Sequence, residues 1–221
     1  MFNTILELTK YRLSLSVIFS SVAGYLIAID YFSIETFLLL FFGGFFLVGA
    51  SNGFNQIIER ERDSIMDRTK NRPIPLGKIS PRSAFIICLI MILSGIVLLY
   101  LINFRTAFFG LISTLIYLFL YTPLKTRTPL CVFFGAISGA IPFMLGWVAA
   151  TNKFGIEPGV LFMIQFFWQF PHFWSIGWLS DDDYKKAGFK TMKEGDSFYL
   201  YEFLNNGEKY NKIKFNFVIG S

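Results

Sequence analysis

The sequence predicts an all-α protein, a bundle of helices that cross a membrane several times. Of its 221 residues, 54% are hydrophobic and 16% are charged, whereas about a quarter of the residues of a soluble domain are charged. The mean hydropathy is +0.53. The apolar residues form continuous runs and do not alternate with polar ones, which argues against a transmembrane β-barrel. The abundance of aromatic residues excludes a disordered chain.

Six apolar stretches are long enough to cross a bilayer, for which a helix needs about 20 residues. They cover approximately residues 13–29, 36–54, 84–102, 106–121, 130–150 and 159–179. The first stretch is not expected to be a cleaved signal peptide, because no small-residue cleavage site follows it. Cys88 and Cys131 lie inside these runs and are predicted to be buried apolar side chains.

The distribution of basic residues predicts how the chain is oriented. Eighteen of the 20 Lys and Arg residues fall on one predicted side, and only Arg105 and Lys153 fall on the other. Cytoplasmic loops are rich in Lys and Arg. We therefore expect a multi-pass protein of the cytoplasmic (inner) membrane with a cytoplasmic N-terminus. No nucleic-acid partner is expected, because no soluble domain is present to carry a basic groove.

The first of two polar segments follows the second predicted span. Acidic and amide side chains recur there every four residues, and this set comprises Asn55, Glu59, Asp63 and Asp67. On a helix they would form a slowly turning row. Carboxylates at this spacing repel one another unless a cation lies among them, and such oxygens suit Mg²⁺, which completes its shell with phosphate oxygens. Arg68 and Arg72 follow, and guanidinium groups bind phosphate.

The second polar segment follows the sixth predicted span and again places acids before bases. It contains Asp181, Asp182, Asp183, Lys185 and Lys186. Either segment alone has an ordinary explanation as a solvated loop. Two such clusters on one membrane face, however, can bind a diphosphate through bridging Mg²⁺ while basic residues neutralise the remaining charge.

A shorter polar segment lies between them and contains Tyr121 and Lys125. The basic residue either helps to bind a diphosphate or serves as a topology anchor beside an interfacial Tyr. The sequence leaves both interpretations open.

These motifs resemble the intramembrane prenyltransferases of the UbiA type, and within them the branch that farnesylates heme. The first segment is similar to that branch's pattern Asn-x-x-x-Glu-x-x-x-Asp-x-x-Met-x-Arg-Thr-x-x-Arg-Pro, here from Asn55 to Pro73. The stretch Trp168-Gln-Phe-Pro-His-Phe-Trp, followed by Asp181-Asp-Asp-Tyr-Lys-Lys-Ala-Gly-Phe, is also similar. Tyr121 and Lys125 fall where the wider superfamily carries Tyr and Lys.

The chain also departs from many relatives that prenylate aromatic acids or quinone precursors. Gln56 stands where those relatives carry Asp, and Glu59 replaces an Asp. Both departures favour the heme branch. A prenyltransferase with a quinone-precursor acceptor is the alternative. A cation transporter is disfavoured, because transporters carry ionisable residues near the bilayer midplane and the interiors of these spans are nearly free of charge.

The resemblance implies that farnesyl diphosphate, heme B and water give heme O and diphosphate, for terminal oxidases. It implies Mg²⁺ as the cofactor, with Glu59, Asp63, Asp182 and Asp183 as ligands. The implied catalytic residues are Asn55, Glu59, Asp63, Tyr121 and Lys125. The implied substrate-binding residues are Arg68, Arg72, Lys125, Lys185, Lys186 and His172. The expected partners are the two substrates, the lipid bilayer and proteins of the heme pathway or of oxidase assembly.

The resemblance also bears on the organisation of the chain. It covers about residues 5–192, which are expected to form a partial prenyltransferase domain, followed by a polar tail over residues 193–221. The resemblance implies about nine helices, and each span needs about 20 residues, so about three helices are expected to be missing from the C-terminal end. A further alternative is therefore an inactive truncated remnant.

Overall fold

The computed structural model describes residues 1–190, and the regular elements in that range are all helical. In chain order they are α1 (Phe2–Leu8), α2 (Tyr11–Ala28), α3 (Ile34–Ile58), α4 (Arg60–Asp63), α5 (Pro81–Ile102), α6 (Phe104–Leu115), a π-helix (Ile116–Tyr121), α7 (Thr122–Leu124), α8 (Cys131–Thr151), α9 (Ile156–Leu179) and α10 (Asp181–Lys186). The predicted all-α class is confirmed. The polar tail expected over residues 193–221 lies outside the described residues.

Five helices in the described range are long and apolar enough to cross a membrane. They are Tyr11–Ala28, Ile34–Ile58, Pro81–Ile102, Phe104–Leu124 and Cys131–Thr151. The sixth predicted span forms a continuous helix of 24 residues, α9, but it is less apolar than the other five. Gln165, Gln169 and His172 interrupt its apolar sequence.

The centre of the bundle is α8, because α2, α6 and α9 all pack against it. Small residues let membrane helices approach closely. A Cβ on Gly146 of α8 would overlap the carbonyl oxygen of Ser21, and a Cβ on Gly24 of α2 would overlap the carbonyl oxygen of Phe143. The two helices therefore cross with their backbones in contact, while α3 pairs with α5.

The π-helix Ile116–Tyr121 follows α6 and ends beside the polar end of α3. Its i→i+5 hydrogen bonds make a wider turn than an α-helix has. The Thr122 hydroxyl donates to the Tyr117 carbonyl at 2.9 Å, and the Asn55 carboxamide donates to that hydroxyl at 3.3 Å. The rings of Tyr117 and Tyr121 lie 5.1 Å apart. This segment thus places two tyrosines beside the first polar motif.

Candidate active site

Asn55, Glu59 and Asp63 form a buried row across the junction of α3 and α4. The Glu59 N–H donates to the Asn55 carbonyl at 2.9 Å, and the Asp63 N–H donates to the Glu59 carbonyl at 2.8 Å. Each of the three residues is at most 3% exposed. Asp67 does not continue the row, because α4 ends at Asp63 and Asp67 is exposed on the turn that follows. The prediction of a row of four residues is therefore wrong for Asp67 alone.

The fully buried carboxylate of Asp63 is paired with Arg72. Nη1 of Arg72 lies 2.7 Å from each carboxylate oxygen of Asp63. The intervening turns bring the chain back to α4, and the Thr69 hydroxyl donates to the Asp63 carbonyl at 2.9 Å. Removing one partner of a buried ion pair leaves an uncompensated charge. This pair therefore fixes the loop against the end of the helix.

Glu59 is paired with Lys125, which follows α7. Nζ of Lys125 lies 3.1 Å from Oε1 and 3.2 Å from Oε2 of Glu59. Only the contact to Oε2 is a hydrogen bond, and among the described residues Oε1 is buried without one. Burial disfavours the charged ammonium, but the Glu59 carboxylate outweighs this effect, so the pKa of Lys125 is raised.

Two aromatic rings lie close to the Lys125 ammonium. Its Nζ lies 4.7 Å from the centre of the Tyr121 ring and 5.4 Å from that of Phe189, which is within the range of cation–π attraction. The Tyr121 ring packs against Phe173 of α9 at 5.5 Å. A Cβ on Gly135 of α8 would lie 2.8 Å from the Phe173 ring and 2.9 Å from the Tyr121 ring. Glycine at this position leaves room for the rings of Tyr121 and Phe173, which together form an aromatic wall beside the acidic row.

The second acidic segment reaches the first through backbone amides. Oδ1 of Asp183 accepts from the Asp67 N–H and Oδ2 accepts from the Arg68 N–H, each at 3.1 Å. Nζ of Lys186 lies 2.9 Å from Oδ2 of Asp67. Hydrogen bonds from Lys70 and Lys186 lower the pKa of Asp67 to about 2. The two segments are therefore brought together as the sequence predicts, but by direct contacts.

The rest of the second segment lies over Lys125. The backbone N–H of Lys190 donates to the Lys125 carbonyl at 2.5 Å. Along α10, Lys185 pairs with Asp181 at 2.6 Å, whereas the Asp182 side chain is exposed. Residues 181–190 thus contact both the first polar segment and the loop after the π-helix.

The acidic row suits a Mg²⁺ ion whose shell is completed by phosphate. Within residues 1–190, no group of three or more His, Cys, Asp and Glu side chains could together hold a metal ion. The four predicted ligands, Glu59, Asp63, Asp182 and Asp183, are therefore not gathered in this conformation. Glu59 and Asp63 nevertheless lie one turn apart at the junction of α3 and α4, and Oε1 of Glu59 has no hydrogen bond to any residue in the range 1–190. Mg²⁺ typically takes one or two carboxylates and substrate phosphates.

Two of the predicted substrate-binding residues lie at the periphery. The Arg68 side chain is exposed, and its backbone is held by Asp183. His172 is exposed on α9, and its ring lies 6.0 Å from that of Phe173. No hydrogen bond or ion pair joins His172 to the acidic row in the part of the chain that the structure describes. The fold thus separates these two residues from the buried ion pairs.

Lys10 is a candidate site residue that the sequence did not indicate. It has a left-handed backbone, with φ of 47°, between α1 and α2. Its ammonium interacts electrostatically with the charged groups of Arg72, Lys125, Glu59 and Asp63. Burial lowers the pKa of Lys10 well below the usual lysine value, and the positive charges nearby lower it further. In the sequence Lys10 is an ordinary basic residue before a span, because only the packing of α1 on α3 brings it to the site.

The sequence of this chain is similar to those of known prenyltransferases. Residues 17–196 match the UbiA prenyltransferase family. A protein named protoheme IX farnesyltransferase from Christiangramia forsetii is 60% identical over 86% of this chain and 63% of its own length. One of the same name from Flavobacterium psychrophilum is 58% identical over 88% of this chain and 66% of its own length. This chain therefore spans less than two thirds of the length of these curated relatives.

Solved structures share the fold. A UbiA homolog from Archaeoglobus fulgidus, bound to GPP and Mg²⁺, matches with a TM-score of 0.77 at 19% identity, over 92% of this chain and 73% of its own. At that identity the similarity concerns the fold alone. A digeranylgeranylglyceryl phosphate synthase matches with a TM-score of 0.75 at 26% identity, over 92% of this chain and 73% of its own.

Proposed function

Because the chain belongs to the UbiA prenyltransferase family, we propose that it transfers the farnesyl group of farnesyl diphosphate to a vinyl group of heme B. Water is added in the same reaction, and the products are heme O, which serves terminal oxidases, and diphosphate. One observation carries the proposal. A buried acidic row with two basic partners lies in a chain that is 60% identical to a protein named protoheme IX farnesyltransferase.

The buried ion pairs support a role in releasing diphosphate. When the allylic C–O bond breaks, its electron pair stays on the diphosphate, so positive groups aimed at that anion lower the barrier. We propose that Arg72 and Lys125 leave their carboxylate partners and bind phosphate oxygens when the substrate is present. Arg68, Lys185 and Lys186 are proposed to bind the same anion from the periphery. Bound Mg²⁺ would supply Lewis-acid stabilisation of the leaving group.

Glu59 and Asp63 are the proposed principal ligands of that ion, with Asn55 beside them. Hard oxygen ligands of this kind suit Mg²⁺. In this conformation Asp183 accepts from two backbone amides and Asp182 is exposed. We propose that Asp182 and Asp183 approach the ion when substrate is bound.

The aromatic wall supports a role in the second half of the reaction. The vinyl π electrons attack the allylic cation and form a new carbon–carbon bond. Water then captures the positive charge left on the porphyrin side chain and loses a proton. The Tyr121 face can stabilise a nearby cation. His172, exposed on α9, is proposed to contact the iron or a propionate of heme B.

The proposed location is the cytoplasmic (inner) membrane, with the polar segments on the cytoplasmic face. The support is the concentration of basic residues on the side that carries both acidic segments. Proteins of the heme pathway or of oxidase assembly remain proposed partners on the same face.

The test is to express this chain in cells that lack heme O synthesis and to measure heme O by mass spectrometry. Wild type is expected to form heme O, and Asp63→Asn to lower its formation by about 100-fold or more, because a site that stabilises the leaving group is lost. Glu61→Gln is the matched control, because the Glu61 side chain is 86% exposed. Its product level is expected to equal that of wild type.

Two results would overturn the proposal. Farnesylation of 4-hydroxybenzoate without heme O would assign the chain to the quinone-precursor alternative. Absence of any prenylated product from well-expressed wild type would assign it to the inactive alternative.

A further inference from the structure

Two successive backbone amides of the loop after α4 bind a single carboxylate. The Asp67 N–H donates to Oδ1 of Asp183 and the Arg68 N–H donates to Oδ2, each at 3.1 Å. The next amide, that of Thr69, points elsewhere and donates to the Met66 carbonyl at 3.1 Å. Successive N–H groups of a turn that converge on one place form an anion-binding concavity. The loop therefore carries an anion site, and the Asp183 carboxylate occupies it.

The geometry of this contact suits a phosphate group as well as a carboxylate. Each oxygen of Asp183 accepts from a different N–H. Donors arranged as a pair recognise carboxylate and phosphate alike, because both anions present two oxygens side by side. A phosphate group can therefore accept from the same two amides once the carboxylate has left.

The segment that carries Asp183 is held weakly. It is α10, a helix of six residues, none of which is buried. Its ion pair between Lys186 and Asp67 joins two side chains that are each at least half exposed, and such pairs contribute little to stability. Elements with few buried contacts open at a low free-energy cost. The carboxylate can thus leave the amides without unfolding of the bundle.

Basic side chains outnumber acidic ones around the site. Nζ of Lys70 lies 2.6 Å from Oδ1 of Asp67, and Nζ of Lys186 lies 2.9 Å from Oδ2 of the same residue. The Lys186 ammonium also lies 4.0 Å from Oδ1 of Asp183. Together with Arg68, three basic residues accompany two acidic ones. Once Asp183 has left, they accompany Asp67 alone, so an anion with more than one charge is favoured.

The site adjoins the acidic row. The Thr69 hydroxyl donates to the Asp63 carbonyl at 2.9 Å, which fixes the residue after Arg68 to the end of α4. Asp183 is a proposed ligand of Mg²⁺, yet both of its oxygens are bound by the two amides. A ligand that replaces Asp183 on the amides therefore releases a carboxylate close to the row.

On the basis of the proposed function, we infer that the amides of Asp67 and Arg68 bind a phosphate group of the diphosphate substrate, and that Asp183 occupies this site until the substrate arrives. The phosphate oxygens replace the carboxylate oxygens on the two N–H groups. The released Asp183 carboxylate is then available to Mg²⁺. Binding of the anion is thereby coupled to the arrival of the second acidic segment at the ion.

The test is hydrogen–deuterium exchange at residues 67 and 68 of the full chain in detergent micelles, without Mg²⁺, so that metal binding by Asp183 has no influence. In Asp183→Ala both amides are expected to exchange about tenfold faster than in wild type, because their acceptor is lost. Saturating inorganic pyrophosphate is expected to restore their protection. If the amides serve only to dock α10, they stay unprotected in this variant with pyrophosphate bound.

Calorimetry on the same samples gives a second readout. Asp183→Ala is expected to bind pyrophosphate about tenfold more tightly than wild type without Mg²⁺, because no internal carboxylate competes for the amides. If Asp183→Ala fails to fold, Asp183→Asn replaces it, since its neutral carboxamide is a weaker acceptor. The same changes, of smaller size, are expected for that variant.

Asp181→Ala is the matched control. It removes the same type of side chain from α10, where Asp181 pairs with Lys185 at 2.6 Å on the surface. The protection of residues 67 and 68 and the affinity for pyrophosphate are both expected to equal those of wild type.

The outcomes separate this inference from the proposed function. Pyrophosphate binding by Asp183→Ala without regained protection, or weaker binding than in wild type without Mg²⁺, would overturn the inference alone. Absence of pyrophosphate binding by folded wild type, even with Mg²⁺ present, would overturn both the inference and the proposed diphosphate site.

Discussion

The two acidic segments have similar compositions but hold their charges in different ways. In the first, Asp63 and Glu59 are buried, and each pairs with a basic residue at 3.1 Å or less. In the second, Asp183 binds backbone amides of another loop, while Asp181 and Lys185 pair on the surface of α10. The first segment is thus part of the core, and the second is a peripheral element docked onto it. Similar sequence motifs therefore need not make equal contributions to stability or chemistry.

The largest expected effect comes from breaking the buried ion pair of Asp63 and Arg72, which tests whether the first segment belongs to the core. Arg72→Met leaves a fully buried carboxylate without a partner, so we expect the free energy of unfolding to fall by about 3–5 kcal/mol. Thermal unfolding in detergent measures the change. Lys186→Met removes a basic residue from the docked segment and is the control. Because its ion pair is exposed, its melting temperature should stay close to that of wild type. Equal losses in the two variants would contradict the distinction between core and periphery.

Weakening the contact of Asp183 with the amides of Asp67 and Arg68 should destabilise the protein less, and only locally. Asp183→Asn replaces a charged acceptor by a neutral one, so the protection of those amides should fall by about 1–2 kcal/mol. Hydrogen–deuterium exchange of residues 67 and 68 measures this loss, while global unfolding should change little. Asp182→Asn, at the exposed neighbouring position, is the matched control. Faster exchange throughout α3 would show that the second segment supports the core after all.

The smallest expected effect is on the pH dependence of stability, to which Lys125 and Lys10 contribute in opposite directions. The pKa of Lys125 is raised by Glu59 against the effect of burial. Its contribution to stability is therefore complete below the usual lysine pKa and is lost as pH rises through the raised value. The pKa of Lys10 is lowered by burial, so the unfolded chain binds more protons between the lowered and usual values. Stability attributable to Lys10 thus rises with pH across that window.

Melting temperature measured against alkaline pH separates the two lysines. Lys10→Met should lack the rise that wild type shows, and Lys125→Met should lack the fall at higher pH. Identical pH profiles for wild type and Lys10→Met would show that Lys10 titrates normally and is not held near the site.

Local patterns explain which features could be predicted from the sequence. Hydropathy located the spans, and the four-residue spacing predicted the row of Asn55, Glu59 and Asp63, because helix geometry alone aligns such residues. The spacing was misleading at Asp67, because contacts distant in sequence determine where the helix ends. The Arg72 side chain turns back to Asp63, and Asp183 holds the following amides.

Features that depend on packing could not be predicted. The π-helix ends at Tyr121, and Thr122, the residue that follows it, accepts a hydrogen bond from Asn55 of α3. Contacts of α1 with α3 place Lys10 beside the polar end of α3, and in the sequence Gln56 only distinguishes branches of the family. Nothing in the spacing of these residues signals a contact across the bundle.

The backbone contact between α2 and α8 has a consequence for biogenesis. Gly24 is synthesised early, but Gly146, on the helix that it meets, is synthesised only after α3, α5 and α6. Until then the face of α2 that carries Ser21 and Gly24 lacks its native partner, and small residues gain most of their packing from a closely apposed helix. The first span is therefore synthesised well before its native partner. A nascent chain that ends before α8 lacks that partner, so α2 can complete its packing only late in translation.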